Sequence, residues 1–188
     1  ASGAKVVGLA NAGGDTINSI KQASEFGIVQ GGQKLAGLLV FISDIHSLGL
    51  KAAAGLVLTE PFYWDLNDGT RAWSRRYFKA MNRMPTMDQA GVYSGVLHYL
   101  KAVEAVKDAK DALKVVAKMK ELPAEDPLFG KSVVRADGRV IHDSYLFEVK
   151  KPEESKEPWD YYKLVATTPA EKAFRPMSEG GCPLVAGK

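Results

Sequence analysis

The chain begins with short apolar runs that are separated by amphipathic stretches. Residues 5–10, after the initial Lys5, and residues 35–42 form continuous apolar runs, as in strands of a parallel sheet that is covered on both faces. A third strand is expected near residues 55–60. A strand–helix–strand order in one sheet almost always makes a right-handed parallel crossover. The pattern therefore predicts the first units of an α/β fold.

The stretch between the first two strands has the features of a single helix. Its buried stripe is predicted to consist of Ile17, Ile20 and Ala23. Asp15 or Thr16 is suited to cap the N-terminus of this helix. Gly27 suits the left-handed residue beyond its end. A second, shorter helix is expected over about residues 46–53.

Helical spacing continues through the middle of the chain. One helix is expected to begin at Asp68 or Thr70, and the next opens with a capping box at Thr86 and Gln89. A third helix is expected over about residues 109–121. The apolar positions predicted to be buried on these helices are Trp73, Tyr77, Phe78 and Met81, then Tyr93, Val96, Leu97, Leu100 and Val103, then Leu113, Val116 and Met119.

After Pro123 the apolar positions alternate with a period of two, which is typical of strands. Asp137-Gly138 lies between two apolar pairs and is a strong signal for a β-hairpin. Further strands are expected at residues 145–149 and 161–166. The tail from Thr167 contains several Pro and Gly residues and is expected to be mostly irregular.

Composition limits the classes of function. The 188 residues are 46% hydrophobic and 25% charged with a net charge of +3, which is ordinary for a globular protein. The basic residues Arg71, Arg75, Arg76 and Lys79 are typical of a solvated helix face, so no nucleic-acid partner is expected. No apolar run has the length of a membrane span. The few histidines and Cys182 have no metal-ligand spacing, so neither a metal nor a cofactor is expected.

The turn after the first strand could bind a polar or anionic group. Its glycines leave backbone N–H groups bare at a helix N-terminus, where the helix dipole also favours negative charge. The candidate ligand-binding residues in this turn are Asn11, Ala12, Gly13, Asp15 and Thr16. The alternative is a tight turn that needs glycine for backbone geometry alone. A nucleotide is not expected, because the turn lacks both the G-x-G-x-x-G pattern and the lysine of a phosphate loop.

Asp44 and His46 form a second candidate site. They follow the second predicted strand at its carboxyl end, where open α/β sheets place their ligands. Capping of the next helix by Ser43 or Asp44 is the alternative explanation. A catalytic pair is conceivable from the residue types, but no serine elbow or cysteine nucleophile accompanies them.

The loop after the third strand contains three adjacent aromatic residues, Phe62, Tyr63 and Trp64. Neighbouring side chains of an extended segment point to opposite faces, so at least one of the three is expected to be exposed or to line a cleft. Tyr93 could place its hydroxyl at that cleft, or could simply top the apolar stripe of its helix. His98 and His142 are expected at the surface.

The succession of these segments resembles one family. The segments are Asn11-Ala-Gly-Gly-Asp-Thr16, Gly37-Leu-Leu-Val-Phe-Ile-Ser-Asp-Ile-His-Ser-Leu-Gly49, Ala54-Gly-Leu-Val-Leu-Thr-Glu-Pro-Phe-Tyr-Trp64 and Pro85-Thr-Met-x-Gln-Ala-Gly-Val-Tyr-Ser94. In order and spacing they resemble the periplasmic substrate-binding proteins of ABC importers, in the branched-chain amino-acid (Leu/Ile/Val-binding) group. The resemblance extends over nearly the whole chain but matches only the C-terminal half or so of the family's fold.

The resemblance implies an α/β fold of the type I periplasmic-binding-protein kind. In that fold two lobes with parallel, Rossmann-like sheets are joined by crossing hinge strands and close over a small ligand. By position, residues 1–60 belong to the second lobe and residues 61–148 to the first. Residues 149–188 form the return crossing and a C-terminal segment on the second lobe. A fragment of this kind exposes strand edges and apolar surface, so a homo-dimer is a physical expectation.

The resemblance also suggests which residues contact the ligand. Residues 12–16 match the second-lobe loop that contacts ligand, and Asp44 lies near an acid that holds the ammonium group of amino acids. The aromatic segment 62–64 follows the crossing, and Tyr93 lies on a helix whose start faces the cleft. The glycine turn lacks the tyrosine typical of leucine binders, which favours an uncharged or aromatic carboxylate ligand over leucine.

The expected function is capture of a small amino acid-like or aromatic carboxylate or amide ligand in the periplasm, followed by delivery to the membrane permease of an ABC importer. This function needs neither catalysis nor a cofactor. Two alternatives stay open. One is a ligand-sensing domain of a regulator with the same fold, and the other is an α/β hydrolase-type enzyme that uses Asp44 and His46.

Overall fold

A computed structural model describes residues 3–183 and 185 of the chain. In chain order its strands are β1 (Val6–Leu9), β2 (Lys34–Gly37), β3 (Val57–Glu60), β4 (Ala124–Asp126), β5 (Gly130–Val134), β6 (Val140–Ile141), β7 (Ser144–Val149) and β8 (Tyr162–Thr168). The helices are α1 (Gly13–Glu25), α2 (Ile42–Leu48), α3 (Leu50–Ala53), α4 (Asp68–Met81), α5 (Met87–Val106), α6 (Ala112–Glu121) and α7 (Ala170–Ala173). Short 3₁₀ turns lie at Pro152–Glu154 and Met177–Glu179.

The larger sheet has five strands in the order β1-β2-β3-β7-β8. The first three are parallel, as the sequence predicts, whereas β7 runs antiparallel to β3 and β8 antiparallel to β7. β1 is an edge strand, and its residues on one face, Val6 and Gly8, are exposed, so the expectation that this strand is covered on both faces is wrong. The fold is α/β with parallel pairing through its first half.

A second unit lies between β3 and β7 along the chain. It contains α4, α5 and α6 and a three-stranded sheet in the order β4-β5-β6. One continuous hydrophobic core joins this unit to the larger sheet. The ring of Phe62 packs edge-on against the ring of Trp73, with centroids 5.9 Å apart, and also lies near the ring of Phe129. None of the described helices combines the length and apolar character that a membrane crossing needs.

Helix α1 begins earlier than the sequence predicts. Ala12 is its N-cap residue, and Gly13 starts the helix with a φ of +57°. The predicted caps Asp15 and Thr16 therefore lie inside the first turn. The end of the helix is as predicted, since Gly27 follows it with a φ of +66°.

The second strand is shorter than its apolar pattern predicts. It ends at Gly37, where a Cβ atom would lie 2.3 Å from the Cγ2 atom of Val40, so the chain turns tightly back on itself. Leu38 is consequently 69% exposed and Leu39 is also exposed, although both were predicted to lie in a buried strand.

Helix α5 opens with the predicted capping box, in which Thr86 accepts from the Asp88 amide and the Gln89 side chain accepts from the Thr86 amide. Its buried face differs from the predicted stripe. Ala90, His98 and Ala102 are buried, whereas Val92, Val96 and Leu100 are exposed, and the expectation of a surface His98 is wrong. The cause is that α6 packs against the small-residue face of α5.

The buried face of helix α6 also differs from the predicted stripe of apolar residues. Val115 is buried, whereas Leu113 is 85% exposed and Val116 is also exposed. The hairpin at Asp137-Gly138 is confirmed, with Val133 opposite Ile141 and Val134 opposite Val140.

Candidate functional site

The carboxyl ends of β1, β2 and β3 meet at one edge of the sheet, because the three strands are parallel neighbours. The segments that follow these ends are 11–16, 38–44 and 60–64. Open α/β sheets place ligands in crevices at this edge. Most of the predicted site residues therefore belong to these segments, whereas His46 lies farther along α2 and Tyr93 lies on α5.

The glycine turn presents open backbone at this edge. Residues 12–15 are exposed, and no side chain caps the first turn of α1. A Cβ atom built on Gly13 or Gly14 would have no atom within 4 Å. The first amide N–H groups of a helix have no partner inside the helix, so this turn can offer them to an acceptor from outside.

The side chains of Asn11 and Thr16 hold the turn in place. The Thr16 hydroxyl is buried and donates to the Asn11 side-chain oxygen at 2.9 Å, while the Asn11 amide donates to the Ser19 hydroxyl at 3.0 Å. The Thr16 hydrogen is thus engaged within the turn. Asn11 and Thr16 therefore hold the turn in the shape that leaves its backbone amides open.

Asp44 is a helix cap, as the alternative explanation from sequence proposed. Its carboxylate accepts a hydrogen bond from the Phe41 amide at 2.9 Å at the start of α2. Partial burial raises the pKa of Asp44, and the hydrogen bond from Phe41 opposes that shift. Asp44 and His46 have different partners and form no hydrogen-bonded catalytic pair.

His46 lies against the return segment before β8. Its ring stacks on the indole of Trp159, and its Nδ1 atom lies 2.7 Å from the Tyr161 hydroxyl. These residues are more than a hundred positions apart, and no sequence pattern connects them. Trp159 is not among the site residues predicted from the sequence, because it directly follows a charged, largely exposed segment, residues 151–158, that carries no motif.

The sequence predicts that at least one of Phe62, Tyr63 and Trp64 is exposed or lines a cleft. All three are buried, so the expected exposure is wrong, while a role in lining a ligand cleft stays a prediction. The alternation of faces applies to an extended segment, but here the chain turns, with the Leu66 amide donating to the Tyr63 carbonyl. Phe62 therefore packs against Trp73, whereas the rings of Tyr63 and Trp64 lie together on the side of Trp159.

Hydrogen bonds join the return segment, residues 159–161 before β8, to the aromatic loop, residues 62–64. The Trp159 carbonyl accepts from the Trp64 indole N–H at 2.8 Å and from the Tyr63 hydroxyl at 3.2 Å. The Tyr63 oxygen in turn accepts from the Tyr161 amide at 3.2 Å. Trp159 has a φ of +74°, a left-handed conformation that is strained for a bulky residue. The conformational strain is consistent with a Trp159 backbone that the hydrogen bonds to its carbonyl hold in place.

Glu60 is a second residue that sequence reasoning missed. It ends β3, is 2% exposed, and accepts a long hydrogen bond of 3.4 Å from the Tyr162 hydroxyl. Burial raises the pKa of Glu60 well above its usual value, and the nearby Asp88 and Asp44 add to the effect. The sequence feature that could have identified Glu60 is a single acidic residue at the end of an apolar strand, directly before Pro61.

Tyr93 is half-buried against Trp73, with ring centroids 5.2 Å apart. The two rings line an open groove of about 390 Å³ together with Tyr77 and Val92. Among the described residues, no group of three or more His, Cys, Asp or Glu side chains could hold a metal ion.

Comparison with known proteins identifies the family. A model of the periplasmic binding protein family matches residues 1–156. A search of curated proteins gave no match. A periplasmic binding protein from Burkholderia mallei shares 52% identity with a TM-score of 0.89, over 96% of this chain and 48% of that one.

Two further solved structures have the same fold. A branched-chain amino acid ABC transporter periplasmic ligand-binding protein from Burkholderia xenovorans LB400 is 42% identical, with a TM-score of 0.86, over 95% of this chain and 47% of that one. A solute binding protein of an ABC transporter from Rhodopseudomonas palustris HaA2, in complex with p-hydroxybenzoic acid, is 22% identical, with a TM-score of 0.76, over 90% of this chain and 46% of that one.

The chain thus spans about half the length of the solved structures that it matches. The family match covers most of this chain, and the order of its strands agrees with that fold. The chain belongs to the periplasmic binding protein family, whose members include the branched-chain amino-acid binding proteins of ABC transporters.

Proposed function

We propose that this chain supplies part of the extracytoplasmic solute-binding component of an ABC importer, located in the periplasm. In this proposal the protein captures a small amino acid-like or aromatic carboxylate or amide ligand between two lobes and delivers it to the permease. The observation that carries the proposal is the open, uncapped glycine turn at the carboxyl edge of three parallel strands. A helix start of this kind favours an anionic group such as a carboxylate.

The two units of the structure are candidates for the two lobes. We assign residues up to Glu60 to the second lobe and the α4–β6 unit to part of the first. β7 (Ser144–Val149) pairs with β3 in the five-stranded sheet, which supports a return crossing through β7 and β8 that begins a few residues before the boundary at residue 149 expected from the sequence. β3 and β7 are antiparallel neighbours, as expected for chain segments that leave and re-enter one lobe.

The exposed leucines after β2 add apolar surface to the same edge. Leu38 and Leu39 lie one strand away from the glycine turn, so a ligand held by its carboxylate at residues 12–15 could place an apolar group on them. Among the solved structures of the same fold, one is a leucine-, isoleucine-, valine-, threonine- and alanine-binding protein from Brucella ovis, and another is in complex with p-hydroxybenzoic acid. Both ligand types combine a carboxylate with an apolar body, which agrees with this surface.

A ligand screen tests the proposal. The intact protein is screened by thermal shift against branched-chain amino acids, hydroxybenzoates and their amides, because a ligand that binds the native state raises the melting temperature. We expect at least one carboxylate to raise it, and lobe closure around that ligand to follow from contacts made only in the closed state. Absence of any shift with all these ligands contradicts the proposal.

A charged variant then tests the site. Gly14→Asp places a negative charge in the first turn of α1, where the helix dipole stabilises it and no atom obstructs its Cβ. Charge repulsion is expected to weaken carboxylate binding at least about fivefold. Gln22→Asp adds the same charge to an exposed position farther along α1 and should leave affinity unchanged. Equal affinities for both variants would place the ligand elsewhere.

A further inference from the structure

A polar cavity lies where the segment after α7 (residues 174–183) packs against the turn between β5 and β6. It is open to solvent and has a volume of about 340 Å³. Three arginines line it, Arg135 and Arg139 from the turn and Arg175 from the segment after α7. A guanidinium group always carries a positive charge and presents a planar fork of N–H donors. The lining of this cavity is therefore suited to an anion.

Arg135 builds the cavity and is already neutralised. Its Nε and Nη2 atoms donate to the two carboxylate oxygens of Asp137 at 2.9 and 2.6 Å, and its Nη1 atom donates to the Arg175 carbonyl at 3.1 Å. The hydrogen bond from Arg135 lowers the pKa of Asp137 to about 2, so this carboxylate is ionised at neutral pH. Arg135 therefore holds the turn and the segment after α7 together.

Arg139 and Arg175 line the cavity without a counter-ion. Asp137 is the one acidic residue of the described wall, and its ion pair is with Arg135. In the described part of the chain, no carboxylate oxygen lies within ion-pair distance of either of the other two guanidinium groups. Like charges that line one cavity repel each other, so an anion bound between them relieves that repulsion.

The position of Arg139 is fixed by an aromatic contact. Its guanidinium carbon lies 5.5 Å from the centroid of the Phe174 ring, in a cation–π arrangement. Phe174 in turn packs edge-on against the ring of His142, with centroids 5.3 Å apart. Lys120, whose Nζ atom donates to the Ala136 carbonyl at 2.7 Å, adds a positive charge beside the same turn. The cations around the cavity are thus partly positioned before an anion binds.

The charge of the cavity favours a phosphate group over a carboxylate. A carboxylate carries one negative charge and accepts one guanidinium fork, so it leaves the second positive charge unpaired. A phosphate monoester carries a charge of about −1.5 to −2 at pH 7 and has three strong acceptor oxygens. It can therefore accept donors from Arg139 and Arg175 together and neutralise both.

We propose that this cavity binds a doubly charged phosphate group, which accepts hydrogen bonds from the guanidinium groups of Arg139 and Arg175. The site is separate from the carboxylate site proposed at the strand ends, since it is formed by the β5–β6 turn and the segment after α7. The phosphate group belongs either to a soluble phosphate compound or to the headgroup of a lipid such as phosphatidic acid. Both sources present the same dianionic chemistry to the cavity.

Inorganic phosphate and acetate are the probes for calorimetric titration of the intact protein at pH 8 and low ionic strength. We expect saturable binding of phosphate, and binding of acetate that is at least about tenfold weaker, because acetate neutralises only one of the two guanidinium charges. Added salt should weaken phosphate binding, since the cavity is open and its charges are screened. Acetate that binds as tightly as phosphate would overturn the proposal.

Variants connect phosphate binding to this cavity. Arg139→Gln and Arg175→Gln each remove one exposed charge and should each weaken phosphate binding at least about fivefold. Arg75→Gln removes the same charge from an exposed position on α4 and should leave the affinity unchanged. Melting curves check that all three variants fold. Unchanged phosphate affinity in both cavity variants overturns the proposal.

Two further measurements locate the phosphate and its source. Gly14→Asp should leave phosphate affinity unchanged, and a large loss in this variant overturns the proposal, because the phosphate would then lie at the start of α1. Sedimentation with phosphatidylcholine vesicles, with and without phosphatidic acid, distinguishes the sources. Binding only to the vesicles with phosphatidic acid, and its loss in Arg139→Gln, supports a lipid headgroup. Binding of inorganic phosphate without binding to either vesicle supports a soluble phosphate compound.

Discussion

The imidazole ring of His46 lies flat on the indole ring of Trp159, with centroids 3.9 Å apart and planes 7° apart. The contact joins α2 to the segment that returns before β8. Tyr161 strengthens the connection through its hydroxyl group at Nδ1 of the same histidine. A residue that sequence alone makes a candidate base is therefore part of the attachment between two distant segments.

Replacement of His46 by Ala should lower the free energy of unfolding by about 1–2 kcal/mol, because the ring stack and a hydrogen bond are lost. His46→Phe keeps a ring for Trp159 and should lose less. Chemical denaturation measures both values. If His46→Ala and His46→Phe are equally destabilising, the stack contributes nothing.

Glu60 should make stability depend on pH. Burial raises its pKa well above the usual value of 4.5, and no cation among the described residues compensates for this. The groups around it are the Tyr162 hydroxyl on β8 and the acids Asp44 on α2 and Asp88 on α5. Between the unfolded and folded pKa values the folded state holds a proton that the unfolded state has released, so stability falls as pH rises, by up to about 1.4 kcal/mol per pH unit.

Glu60→Gln removes this ionisation while keeping the shape of the side chain. We expect the variant to lose most of the decline in stability above pH 4.5 and to exceed the original protein in stability at alkaline pH. A small decline remains, because burial also raises the pKa of Asp44. Urea denaturation across a pH series checks this, and parallel pH profiles for the two proteins would contradict it.

Gly69→Ala should destabilise the fold by about 1–3 kcal/mol through overpacking. A Cβ atom at this position would lie 2.4 Å from the Pro127 carbonyl oxygen, which is backbone and cannot move aside. Gly95→Ala is the matched control, because its Cβ atom meets nothing within 4 Å and alanine favours the helix. The control should be neutral or stabilising in the same denaturation assay.

A substitution at Val96 tests the proposal that α5 belongs to a lobe of which this chain supplies only a part. It is 52% exposed, so Val96→Lys should change the stability of this chain by less than about 0.5 kcal/mol. In the two-lobed protein proposed above, the α4–β6 unit is only part of the first lobe, and we expect the rest of that lobe to cover this face. The same change then buries an unpaired charge and should cost more than about 2 kcal/mol. Equal effects in both proteins would contradict the assignment.

The sequence was sufficient for the local elements. The hairpin at Asp137-Gly138 and the capping box at Thr86 depend on neighbours within a few residues, so their signals are complete in the sequence. The glycine after α1 is predictable for the same reason.

Contacts between distant segments were not predictable in this way. The buried face of α5 depends on α6. Small residues such as Ala102 face α6 and are buried, whereas Leu100 is exposed, because small side chains allow the two helices to pack closely. The burial of Phe62, Tyr63 and Trp64 depends on a turn and on Trp159, which lies far along the chain. The parallel strands allow the edge of the sheet that carries the candidate site to be predicted. The contact of that edge with the return segment, through His46 and Trp159, could not be predicted.

The fastening of Trp159 to the aromatic loop has a consequence for a cleaved chain. Residues 151–158 form a largely exposed connection, whereas β8 pairs with β7 along its length and the Trp159 carbonyl is held by Tyr63 and Trp64. A protease that cuts this connection would therefore leave both pieces together. They would separate on a denaturing gel and migrate as one species under native conditions.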